Sequence, residues 1–223
     1  MSAWSVFART LYEVLRVGTL SSVRAIDEGG FATLNSDACV IIAANHVSHA
    51  DTSVLYWELP QPCRARARFV ASGSRFSLAK PSAPLRERFE RWLLHGLAVN
   101  AYHAILVGGD VHGLQSIEQI SLALRDGSVV AMYPEGTRSK TGVLGPLKPG
   151  VAMVACATKC IVVPVRIDGT REALPKSMKF PRFRSRISVR FRAPLVAETG
   201  ETHANFLARL THALQPCATG ADA

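Results

Sequence analysis

Short apolar runs alternate with segments of helical period along most of this chain. Residues 39–44 (CVIIAA) form an unbroken apolar run that predicts a buried strand, with a helix following over 51–58. Residues 68–71 predict a weaker strand. A helix over 85–98 carries Leu85, Phe89, Trp92, Leu93, Gly96 and Leu97 on one face. Residues 104–107 read as extended, and 112–126 as a helix with Leu114, Ile117, Ser121 and Leu124 inward. A strand over 128–133, a helix over 150–158 and a strand over 161–167 complete the middle of the chain. Strands alternating with helices of this length predict an α/β domain: a central, largely parallel mixed sheet flanked by helices.

The two ends differ in pattern. Residues 1–17, within a leading segment of 1–20, predict an amphipathic helix whose stripe is Trp4, Phe7, Leu11, Val14 and Leu15, opposite Ser5, Arg9, Glu13 and Arg16. Such a helix suits either packing onto the domain or an interfacial position at a lipid surface. Residues 184–192 alternate strictly, with Ile187, Val189 and Phe191 one way and arginines the other, which predicts an edge strand with a basic face. A last helix over 201–214 buries Phe206, Leu207, Leu210 and Leu214, and residues 218–223 read as a loose tail. The whole, 1–223, reads as one domain.

Charge narrows the partners. A formal net charge of +9 on 223 residues favours anionic ligands: nucleic acid, anionic lipid, or phosphorylated donors such as coenzyme A and acyl carrier protein. No window approaches the ~20 apolar residues that cross a bilayer, so a membrane would be met from its surface. The first ten residues lack a secretory signal pattern, and five cysteines without a CxxC pair predict reduced thiols in a cytoplasmic protein.

Ligands in such a fold gather beyond the carboxyl ends of the strands. Two loops there stand out: NHVSHAD (45–51) after CVIIAA, and YPEGTRS (133–139) after VVAM. If His46 lies in the turn and Asp51 in the first turn of the next helix, the carboxylate reaches the imidazole and makes it an oriented general base. Ser48-x-x-Asp51 equally fits a capping box, so both readings stand at this point. His46, His49 and Asp51 have no partner cluster to complete a metal site, and Ser48 lacks a GxSxG elbow. In the second loop, Gly136 allows close backbone approach and Arg138 offers a planar fork to a phosphate. Lys148, ahead of the helix that begins near 150, forms a further anion-binding candidate.

Four blocks in order and spacing, NHVSHAD, YPEGTRS, LKPG (147–150) and VVPVRIDGTREALPK (162–176), resemble the lysophosphatidate acyltransferases. These glycerolipid acyltransferases, marked by HxxxxD and EGTR motifs, make phosphatidate from 1-acyl-glycerol 3-phosphate. The resemblance runs over residues 26–195. It implies O-acyl transfer from acyl-CoA or acyl carrier protein to a lysolipid hydroxyl in phospholipid synthesis, without a cofactor. It implies further that His46 deprotonates that hydroxyl, that Asp51 orients His46, and that Glu135, Gly136, Thr137 and Arg138 bind the acceptor, Arg138 at its phosphate. The expected setting is peripheral, on the inner face of an anionic membrane.

One departure stands out. The family carries a second phosphate-binding arginine between the first two motifs, and the corresponding residues 100–110 contain neither Arg nor Lys. Either Lys148, Arg166 or Arg171 replaces it, or the acceptor is a less charged lysolipid, such as a lysophospholipid diester or an amino-acid lipid. The competing activities are a thioesterase using His46 on water and a non-catalytic basic module. Residues 176–186, with Phe180 and Phe183, would suit single-stranded nucleic acid as well as lipid. The intact HxxxxD and EGTR loops favour lipid chemistry and no nucleic acid.

Overall fold

The computed structural model describes residues 3–17, 21–30, 38–108, 113–174 and 182–216. The tail at 218–223, Cys217, and the start of the basic stretch at 176–186 lie outside them.

In chain order the elements are α1 (Ala3–Val17), β1 (Ser22–Asp27), β2 (Val40–Ala44), α2 (Asp51–Glu58), α3 (Gln61–Ala65), β3 (Ala67–Ser72) and α4 (Gly73–Phe76). Next come α5 (Leu85–His95), which runs on into a π-helical turn at Gly96–Ala101, then β4 (Ile105–Val107), α6 (Gly113–Arg125) and β5 (Val129–Met132). The last are α7 (Gly150–Thr158), β6 (Ile161–Asp168), α8 (Thr170–Ala173), β7 (Arg186–Phe191) and α9 (His203–Leu214). The strands form a seven-stranded sheet in the order β1-β7-β6-β2-β5-β3-β4. The five from β6 to β4 are mutually parallel, β7 runs antiparallel to β6, and β1 pairs parallel with β7.

The unbroken apolar strands are those covered on both faces, as a parallel sheet requires. Every residue of β2 and β5 is buried. On one face Val40, Ile42 and Ala44 join Val54 and Leu55 of α2; on the other Ile41 and Ala43 join α6, α7 and α9, with Phe206, Leu210 and Leu214 at 0% exposure. Pro164 is tolerated inside β6 because it sits where the β6–β7 ladder ends, opposite neither a β7 residue nor a lost ladder bond; its carbonyl still accepts from Arg192 N at 2.9 Å. Helix α9 opens on Thr202, whose hydroxyl accepts from Asn205 N at 3.2 Å.

Three expectations need correction, on β7, Leu114 and the cysteines, and two apolar faces gain a direction. β7 is not an edge strand: β1 covers it, and Glu28 just beyond β1 pairs with Arg190 and Arg192, which neutralises part of the basic face. β1 itself escapes the periodicity because only Val23 and Ile26 are partly buried. The stripe read on α1 divides between the two positions left open for it: Trp4 packs inward, and the rest that is described stays exposed. The helix docks through the row Trp4, Ala8 and Tyr12, the last donating to Glu58 at 2.5 Å, while Phe7, Leu11 and Val14 stay exposed. The space comes from Gly96, which the Trp4 indole covers so closely that any side chain there would collide with it. Helix α5 also turns Leu85, Phe89 and Trp92 of its apolar face to solvent; on α6 Leu114, expected inward, is exposed, while Ile120, Ala123 and Leu124 are buried. Finally, Cys39 and Cys160 form a disulfide, Cα–Cα 4.9 Å, across the starts of the adjacent strands β2 and β6. A separation of 121 residues hides this pair from spacing arguments.

Candidate functional site

Parallel strands deliver their carboxyl-terminal loops to one edge, so neighbours in the sheet become neighbours in the site. Here β6, β2, β5 and β3 bring together Thr170, the 45–51 loop, the 133–139 loop and Arg75 of α4. The two loops singled out in the sequence therefore meet.

The first loop is fixed at its root. The Asn45 side chain clasps β6 in both directions, donating to Ile167 O at 2.9 Å and accepting from Ile167 N at 2.7 Å. One residue on, His46 Nδ1 lies 2.8 Å from Asp51 Oδ2. The same Oδ2 accepts from Val47 N at 2.7 Å and Ser48 N at 2.8 Å, and Oδ1 accepts from the Thr170 hydroxyl at 2.6 Å. Asp51 is fully buried, and these four donors compensate the burial of its charge. The bond to Ser48 N, with that to Val47 N, fixes the backbone of the turn ahead of α2, so one carboxylate holds both the loop and the histidine. Tyr133 and Thr170 lie inside blocks singled out in the sequence, but neither was given a role there. Tyr133 stacks on the His46 ring with centroids 4.0 Å apart, and its hydroxyl meets Thr52 Oγ1 at 3.0 Å. Burial first, and the Asp51 carboxylate second, push the Tyr133 phenol well up, so it stays neutral.

The second loop wraps the first. Ser139 N donates to His46 O at 2.8 Å. Glu135 is buried, and its two oxygens accept from His46 N at 2.8 Å and Gly145 N at 2.9 Å. Its carboxylate thus holds the loops together, with both oxygens engaged by backbone. Gly136 takes φ +68°, open to glycine at little cost, and a Cβ there would lie 2.6 Å from Lys148 Nζ. Thr137 is exposed and Arg138 half-buried beside it; Arg138 has no ion pair or hydrogen bond among the described residues. Burial and then the Arg75 charge push the Arg138 guanidinium down.

The cations proposed to replace the missing arginine separate. Lys148 is at the site. Arg166 is buried and bonded to Asp168 at 2.8 Å and to Leu214 O at 3.2 Å, and Arg171 donates to the carbonyls of Lys140 and Thr141. Neither of the latter two is available to a ligand. Arg75, unmarked by any motif, is at the site instead: its Nη2 lies 3.5 Å from His49 Nε2.

With Nδ1 held by a buried carboxylate, Nε2 of His46 carries the lone pair, and the side chain remains 19% exposed. That is an oriented base beside a group of cations, able to take a proton from an incoming hydroxyl.

The model of the acyltransferase family matches residues 26–168. A 1-acyl-sn-glycerol-3-phosphate acyltransferase of Cocos nucifera is 24% identical over 194 residues, 80% of this chain and 53% of that protein. The chloroplastic 1-acyl-sn-glycerol-3-phosphate acyltransferase LPAT1 of Arabidopsis thaliana is 46% identical over 52 residues, 23% of this chain and 15% of that protein. This chain therefore spans about half, or less, of the curated relatives it matches. The fold is that of the 1-acyl-sn-glycerophosphate (LPA) acyltransferase PlsC of Thermotoga maritima: TM-score 0.64 at 18% identity, over 94% of this chain and 74% of that one.

Proposed function

This chain belongs to the acyltransferase family, and we propose that it moves a fatty acyl group from the thioester of acyl-CoA or acyl carrier protein to the free hydroxyl of 1-acyl-glycerol 3-phosphate. The observation that carries the reading is the His46–Asp51 pair set beside Arg138, with no serine or cysteine nucleophile bonded to the imidazole among the described residues. His46 Nε2 takes the hydroxyl proton as the oxygen attacks the thioester carbonyl. The C–S bond breaks, the thiolate receives the proton from the imidazolium, and the acyl ester is released without an acyl-enzyme. Asp51 steadies the imidazolium in between. Incubating purified protein with either donor and lysophosphatidate tests this. Phosphatidate is the expected product; release of free fatty acid at the same rate with and without acceptor would make the protein a thioesterase instead.

The acceptor is a lipid, and the protein offers it a surface. Phe7, Leu11 and Val14 of α1 and Leu85, Phe89 and Trp92 of α5 are all exposed, and Trp4 joins the two helices by an edge contact to Trp92 with centroids 5.1 Å apart. An exposed apolar surface of this kind, on two helices that also carry Arg9, Arg16, Arg86 and Arg88, suits peripheral docking in a headgroup layer. No helix among the described residues is long and apolar enough to cross a membrane. Replacing Phe7 and Trp92 together by serine is expected to cut sedimentation with anionic liposomes by ~10-fold or more, at ~2 kcal/mol for each large side chain kept out of the lipid. Unchanged sedimentation of the double variant would remove α1 and α5 from the docking surface.

A further inference from the structure

Lys148, Arg138 and Arg75 lie around the His46 loop, and none has a carboxylate partner among the described residues. Several other helix arginines do have one: Arg9 and Arg16 with Glu13, Arg86 with Glu90, Arg209 with Glu201. Arg75 is also held from behind. Arg91 Nη1 donates to Ser74 O at 2.8 Å and Arg75 O at 3.3 Å, and His95 Nδ1 meets Phe76 O at 2.8 Å, so the short helix α4 is pinned to α5 while the Arg75 side chain stays exposed.

The local field is consistent with a gathering of cations. Partial burial, then the charges of Arg138 and Arg75, lower His49 to about 4, so at neutral pH it is uncharged and able to accept from Arg75. The carboxylates of the two loops are already engaged: Asp51 accepts four hydrogen bonds, and Glu135 accepts from His46 N and Gly145 N. Guanidinium groups held near one another without a carboxylate raise each other's energy, and an anion bound by both removes that cost.

We propose that Arg75 is the second cation for the acceptor phosphate, taking the part of the arginine that residues 100–110 lack. The assignment rests on the phosphate-bearing acceptor proposed above. Arg138 and Arg75 stand at the ends of adjacent strands, β5 and β3, so one ligand can meet both. Two planar forks match a phosphate monoester, which carries up to two charges, better than a diester, which carries one.

The test compares wild type with Arg75→Ala and Arg75→Lys, with Arg125→Ala on the far end of α6 as a control for net charge. Two quantities are read: KM for lysophosphatidate against lysophosphatidylcholine, and affinity for sn-glycerol 3-phosphate by calorimetry without donor. Arg75→Ala is expected to raise the lysophosphatidate KM by ~10- to 100-fold, the scale of one charge-assisted hydrogen bond, and to weaken glycerol 3-phosphate binding. The lysophosphatidylcholine KM should move much less, and Arg75→Lys should recover part of the loss. If wild type acylates no phosphate-bearing lysolipid yet binds glycerol 3-phosphate through Arg75, the proposed reaction fails while the phosphate site stands. If Arg75→Ala alters neither quantity more than Arg125→Ala does, or alters both lysolipid KM values equally, the assignment is overturned.

Discussion

Replacing His46 by alanine is expected to slow acyl transfer by ~10² to 10⁴, the usual contribution of a positioned general base. The substitution removes the proton acceptor and leaves its surroundings in place, since Asn45 clasps β6 and Asp51 keeps three other donors. The loss should therefore appear in kcat, with the melting temperature close to that of the parent. The one structural cost is the stacked face of Tyr133, 4.0 Å from the missing ring. Steady-state kinetics alongside thermal unfolding separates the two effects. Retention of more than about a tenth of the parent rate would remove His46 from the chemical step, because even the weakest general bases contribute more.

Asp51→Asn is the second large effect, and the geometry says which part of the carboxylate matters. Three N–H groups converge on Oδ2 and one hydroxyl on Oδ1. An asparagine can place its carbonyl at the Oδ2 position and its NH₂ toward Thr170, whose hydroxyl turns to accept. The imidazole then keeps its tautomer and orientation but loses the charge that steadies the imidazolium. The expected result is a fall in kcat of ~10² or more with acceptor KM nearly unchanged, the pattern of an interaction made only in the transition state. Asp51→Ala should add a stability loss, because Val47 N and Ser48 N are left buried without an acceptor at ~1 to 3 kcal/mol each. An Asn variant with more than half the parent kcat would reduce Asp51 to a brace of the 45–51 loop.

How much of this was legible beforehand depended on whether a residue's neighbours were close in sequence. The parallel strands announced themselves because both faces are buried, and each apolar run of β2, β5 and β6 could only be a core strand. The loops after β2 and β5 followed from that placement. Thr170 and Arg75 reach the same site from β6 and β3, and no local spacing links them to His46. Which way the stripes of α1 and α5 face was not legible for a physical reason: periodicity finds an apolar face without saying which surface covers it. Ala8 and Gly96, too small to register as hydrophobic anchors, decide how α1 docks.

The pairing of β1 with β7 has a consequence for how the molecule comes into being. Ser22 stands opposite Arg186 and Asp27 opposite Phe191, so a strand made early waits for one made late. Helix α1 does not wait, since its anchors Glu58 and Gly96 emerge well before β7. On a translating ribosome the five parallel strands can assemble first, because β6 completes them while β7 is still unmade. The antiparallel flank is synthesised last, so the bonds by which Asn45, Asp51 and Glu135 fix the chemistry end of the sheet can form before β7 exists.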